Sequence, residues 1–150
     1  MSDLNDVCGW SELVDWFGFE PDFHDAEVVR IEFRRTPHPT SISVHTWRIT
    51  PEVNDAGYYV LDRHATVIFH LSGAVVAKQF QHWNHQNVLW GISIDREPST
   101  QGSSSRYILH LDSTFGLEAI FAADQIVIEL VPGDAGTVEG TPYRSGPRPA

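Results

Sequence analysis

Ala65, Val67, Phe69 and Leu71 alternate with Thr66, Ile68 and His70. A period of two places one set of side chains on a single face only in an extended strand. The same rhythm recurs along the chain. Glu27 to Arg34 sets Val29, Ile31 and Phe33 on one side and Arg30, Glu32 and Arg34 on the other. Val88, Trp90, Ile92 and Ile94 form a further alternating set, and Tyr107, Leu109 and Leu111 another. Ser41 to Thr50 is β-branched and aromatic, but its apolar parity changes between Val44 and Trp47, which predicts a bulge there. Val75 to Phe80, Leu117 to Phe121 and Ile126 to Val131 complete the predicted strands.

Breakers separate these runs: Pro37 with Pro39, Asn54-Asp55-Ala56-Gly57, Ser72-Gly73, and the flexible loop Gln101-Gly102-Ser103-Ser104-Ser105. Only Trp10 to Gly18 reads as helix, with Ser11 as its N-cap, Gly18 just past its end, and Leu13, Val14, Trp16 and Phe17 on its apolar face. Short alternating strands joined by turns predict a β-rich α+β fold, an antiparallel sheet of about seven to eight strands with one short N-terminal helix. Residues 1–132 are read as one domain, and residues 133–150, dense in Pro and Gly, as a flexible tail.

A chain of 150 residues can bury about two-thirds of its unfolded surface, so it needs no disulfide or metal to fold. Its single cysteine, Cys8, excludes an intramolecular disulfide and a thiolate metal cluster. Residues 1–30 lack a basic and then apolar leader, and no apolar run approaches the roughly 20 residues that span a bilayer. A cytoplasmic location and no membrane partner are therefore expected.

The formal charge is −10, unevenly spread, with eight carboxylates and no Lys or Arg among residues 1–27. Such a surface repels nucleic acid, whose binding rests on Lys and Arg against phosphates. It favours steered association with a basic partner, or simply solubility.

Phe23-His24-Asp25-Ala26-Glu27 closes the acidic stretch. On a regular strand from Phe23 onward, Asp25 and Glu27 would share a face and His24 would point away. A metal site there would need His64, His70, His85 or His110 from other strands, and no paired-ligand spacing marks one. The alternative is a structural corner in which His24 and Asp25 bond to each other or to the backbone. A second polar cluster, Gln81 to Asn87, offers amides and imidazoles around Trp83. It reads either as a ligand-reading loop or as a turn whose amides satisfy its own backbone. No G-x-S-x-G and no phosphate-cradling glycine loop is present, although a triad assembled across the fold stays open.

Trp16-Phe17-Gly18 with Phe23-His24-Asp25-Ala26-Glu27-Val28, then Phe80 with Asn84-His85-Gln86-Asn87-Val88, then Ser113-Thr114-Phe115-Gly116-Leu117 with Phe121, form an ordered set. This set resembles the Imm50-type family of bacterial immunity proteins of polymorphic toxin systems, from about Trp10 to Val131. The resemblance implies a small cytoplasmic binding protein rather than an enzyme, with no cofactor, whose partner is a toxin domain. His24, Asn84, His85, Gln86 and Asn87 are the polar motif residues it carries over, and Asp22, Asp25 and Glu27 are the candidates for partner contact. The competing expectation is a small metal-binding protein or enzyme using His24, Asp25 and Glu27 with His70 or His85.

Overall fold

The computed structural model describes residues 6–97, 106–133 and 148–149. One helix, α1 (Trp10–Phe17), precedes β1 (Glu27–Glu32), β2 (Thr40–Val53), β3 (Tyr58–Ser72), β4 (Val76–Gln81), β5 (Val88–Glu97), β6 (Arg106–Phe115), β7 (Glu118–Ala123) and β8 (Gln125–Pro132). A two-residue β9 (Arg148–Pro149) pairs with Tyr58 and Tyr59. The expected loop at 101–105 and most of the expected tail lie outside the described residues.

The strands form one antiparallel sheet in the order β4-β7-β6-β5-β1-β2-β3-β8, with β9 beside β3. This is the β-rich α+β architecture expected from the alternation. The sheet is folded over on itself. Asp124 alone links β7 to β8, although these strands stand near opposite ends of the order. Phe33, just past β1, meets Phe80 of β4 edge-on at 5.5 Å and Phe121 of β7 at 6.1 Å. A single core therefore takes Ile42, Val44, Val67 and Phe69 from one half-sheet and Leu89, Ile94, Leu109, Leu111 and Phe121 from the other. α1 adds Trp10, Leu13 and Phe17 to that core.

Bulges set the faces. The register shifts between Val28 and Arg30, so Val28 is buried in the core and Ile31 packs beside it. The expected face of Val29, Ile31 and Phe33 is thereby corrected, because one unpaired residue inverts the parity of everything upstream of it. In β2 the shift falls between Thr46 and Arg48, at the expected place. Beyond it the hairpin is held by Arg48, which donates to both carboxylate oxygens of Asp62 at 2.8 and 2.7 Å. Those bonds hold the Asp62 carboxyl below its usual range. Asn54 Oδ1 then accepts from the backbone N–H of Ala56 and Tyr58 to close the hairpin at the predicted turn.

The helix ends as expected at Gly18, which is left-handed and donates its N–H to Val14 O at 2.8 Å. Its start differs. Gly9 is the N-cap, while Ser11 lies inside the first turn and bonds Glu12. Gly9 wins because the chain there runs against β8: Cys8 bridges Val127, and Ile128 donates its N–H to Cys8 O at 2.8 Å. A Cβ on Gly9 would strike the backbone carbonyl of Ile128, and its φ of 97° is itself costly for any other residue. Gly9→Ala is expected to cost about 2 kcal/mol or more, read as a lowered urea midpoint at unchanged slope.

Candidate functional site

The Phe23–Glu27 segment is a tight turn, and strand geometry begins only at Glu27. Phe23 and Asp25 adopt φ of 63° and 65°. Left-handed backbone costs about 1–2 kcal/mol at each such residue, so something must hold them there. Phe23 is buried edge-on against Phe69 at 5.8 Å, a burial that contributes about 2–3 kcal/mol. His24 donates its N–H to Asp22 Oδ1 at 2.9 Å, and Ala26 to Phe23 O at 3.0 Å.

Three further backbone bonds run across to β5 and the residue before it. Asp25 N–H donates to Leu89 O at 2.9 Å, Leu89 N–H to Ala26 O at 2.8 Å, and Val28 N–H to Asn87 O at 2.8 Å. Among the described residues, β1 and β5 share one register pair, Glu27 with Val88. The two half-sheets are thus joined where the two polar motifs meet.

The turn overturns the regular-strand reading and matches the alternative, a corner in which His24 meets Asp25 and the backbone. His24 does not point away from Asp25: its Nε2 lies 3.6 Å from Asp25 Oδ2, and its Nδ1 lies 3.3 Å from Trp90 O. The inverted handedness at Asp25 breaks the strand parity on which that expectation rested. The His24 ring meets Trp90 edge-on at 4.7 Å. Glu27 sits apart from this contact, opposite both Val88 and His45, and burial pushes its carboxyl above the ordinary carboxylate range.

The second motif divides by role. Asn87 is 2% exposed and spends both ends of its amide. Its Oδ1 accepts from Asn84 N–H at 3.0 Å and Leu117 N–H at 2.8 Å, and its Nδ2 donates to Asn84 O at 2.8 Å. It ties the loop before β5 to the turn between β6 and β7. Asn84 Oδ1 accepts from His85 N–H at 2.7 Å. His85 leans on Asn84 and, at 6.3 Å, on the Phe115 ring, so it does not converge with His24. Gln86 is exposed.

Trp90 is the surface residue that the alternating pattern misplaces. It is 65% exposed, whereas Leu89, Ile92 and Ile94 are buried. Register shifts on both sides of Leu89 turn it outward, and the signal in sequence was Gly91, since a glycine inside a strand often marks a bulge. Beside Trp90 and His24 lies a cleft of about 230 Å³ whose walls include Phe19, Asp22, His24, Trp47 and Ile49. Phe19 and Ile49 are about half exposed. The surface is therefore aromatic, concave and edged by carboxylates.

Other histidines are held elsewhere. His70 lies between Ser41 Oγ, 3.1 Å from its Nδ1, and Glu129 Oε1, 2.8 Å from its Nε2. The order imitates a hydrolytic triad, with Ser41 set in a ladder between Glu32 and His70. It is a cross-strand polar chain. His45 is fully buried and stacks on His64 at 5.4 Å. Among the described residues no three His, Cys, Asp or Glu side chains are grouped to hold a metal ion, and neither His70 nor His85 is brought to His24.

No protein-family model, curated protein or solved structure matches this chain. Asn87→Ala is expected to cost about 2–3 kcal/mol, because it strands the buried N–H of Leu117 and removes two bonds to the Asn84 backbone, whereas His85→Ala should change the unfolding midpoint little. Glu27, with its pKa raised on folding, binds its proton more tightly in the native state, so its contribution weakens stability as pH rises through that range. Glu27→Gln is therefore expected to stabilise at neutral pH, with the difference from the parent chain vanishing at low pH in urea titrations across pH.

Proposed function

We propose that this chain is a binding protein of the immunity type, which neutralises a toxin domain by covering it with the surface around Trp90. The observation that carries the reading is the exposed Trp90 ring, fixed edge-on by His24 beside Asp22 and Asp25. A half-buried or exposed tryptophan held in one orientation loses little entropy on association, and Trp is among the side chains that dominate interface energetics. Phe19 and Ile49 extend the apolar patch, and the neighbouring cleft offers a socket for a partner side chain.

The acidic N-terminal stretch supplies the second ingredient. Toxin domains that cut nucleic acid must hold phosphates and so tend to be basic. A −10 inhibitor is drawn toward such a partner by complementary potential. The motif likeness to Imm50-type immunity proteins points the same way, and a cytoplasmic site of action is part of the same proposal. Asp22 and Asp25 contact His24, which meets the Trp90 ring, while Glu27 lies apart in the seam, so the first two are the stronger contacts.

The test is co-expression with the toxin-type product of a neighbouring gene, together with binding kinetics. Trp90→Ala should weaken binding by about 2 kcal/mol, roughly 30-fold in Kd, chiefly through faster dissociation. Asp22→Asn with Asp25→Asn should slow association most at low salt. Protection and rates unchanged in both variants would overturn this surface as the interface.

A further inference from the structure

The sheet has two terminal strands, and they are treated differently. β8 is covered at its middle: Cys8 bridges it at Val127, and α1 packs beside it. β4 hydrogen-bonds only to β7 among the described residues, none of which pairs with its other edge. An open edge is a template for a further strand unless it is blocked.

Next to β4 lies a cleft of about 540 Å³, with Val75 and Ala77 on one wall and the segment after β1 on the other. That second wall carries Phe33, Arg34, Arg35 and His38. Among the described residues no carboxylate lines the cleft. Arg34 has Glu32 at 3.7 Å, while Arg35 and His38 form no side-chain ion pair among the described residues. In a chain of net charge −10, a cleft walled by two guanidiniums and an imidazole runs against the overall field. Exposed rings of Phe33 and Phe80, in contact at 5.5 Å, give the same region an apolar floor.

We propose that β4 and this cleft form a docking groove for an extended acidic peptide of a partner protein, which adds to the sheet as a strand. The peptide backbone would pair with the open edge of β4, and its carboxylates would face Arg34, Arg35 and His38. This surface is separate from that of Trp90, and the inference does not depend on the toxin reading.

Three other occupants fit less well. A small free anion would be held only by solvent-exposed cations in an open cleft, a weak arrangement, whereas strand addition supplies a row of backbone hydrogen bonds. A second copy docking edge to edge would set its own Arg34, Arg35 and Lys78 against like charges across a two-fold axis. Nucleic acid meets the net negative charge of the whole chain. The edge is blunted at one point, by a register shift at Lys78, whose Nζ is held by Glu97 at 3.2 Å.

The experiment is fluorescence polarisation with a labelled peptide of about six residues that alternates Val with Asp and Glu. The full chain should bind it. The matched peptide with Lys for the acids should fail, as should the acidic peptide N-methylated at alternate backbone nitrogens. Arg34→Glu with Arg35→Glu should weaken binding at least about tenfold while circular dichroism stays unchanged. Equal binding of the Lys peptide would overturn the charge selection, and equal binding of the N-methylated peptide would overturn strand addition. Displacement by inorganic phosphate at concentrations matching the peptide would reassign the cleft to small anions. Concentration-dependent dimerisation that is blocked by the same two substitutions would reassign it to a second copy. The peptide comparisons stand even if the double variant fails to fold.

Discussion

Everything in this fold hangs on a short seam. The two half-sheets meet through one register pair, Glu27 with Val88, and three backbone bonds between residues 25–28 and 87–89. To make those bonds the chain must take left-handed backbone at Phe23 and Asp25, which is unfavourable in isolation. Burial of Phe23 against Phe69 and the amide of Asn87 hold the geometry from both sides. The same turn lifts His24 against Trp90, so the element that joins the halves also builds the exposed surface. Structure and candidate function are coupled here because one strained turn serves both.

The charge distribution gives the molecule two unlike faces. Asp22 and Asp25 lie at His24, beside Trp90, and the cleft beside β4 is walled by Arg34, Arg35 and His38. Both lie next to exposed aromatic rings. Charges of opposite sign at separate apolar patches suit two partners of opposite character better than one. An overall charge of −10 describes the far field but not either patch.

Much of the architecture was legible from the alternation, because period two reports directly which side of a strand is wet. The strands of the core, the β2 bulge near Trp47, the turn at Asn54 and the helix end at Gly18 all follow from local chemistry. What escaped was set by partners far along the chain. Gly9 rather than Ser11 begins the helix because β8 passes too close for a Cβ. Trp90 turns outward because β5 slips register against β6. The corner of His24 and Asp25 was one of the two readings open in sequence, but not what pins it, Leu89 and Trp90, more than 60 positions downstream. At the site itself, the composition of both motifs was evident, but the burial of Asn87 against the exposure of Gln86 was not, since adjacent amides look alike until the loop is folded.

The cover on β8 has a consequence for synthesis. The segment at Cys8 and helix α1 dock onto a strand made near the end of the chain, and β3 finds its second neighbour only when that strand arrives. An emerging chain therefore holds Trp10, Leu13, Phe17 and the bare edge of β3 without their final partners until residues beyond 125 leave the ribosome. Translation delivers the polypeptide in one direction, but this protein cannot be finished in that order. Its nascent form holds these surfaces without their final partners for most of its synthesis.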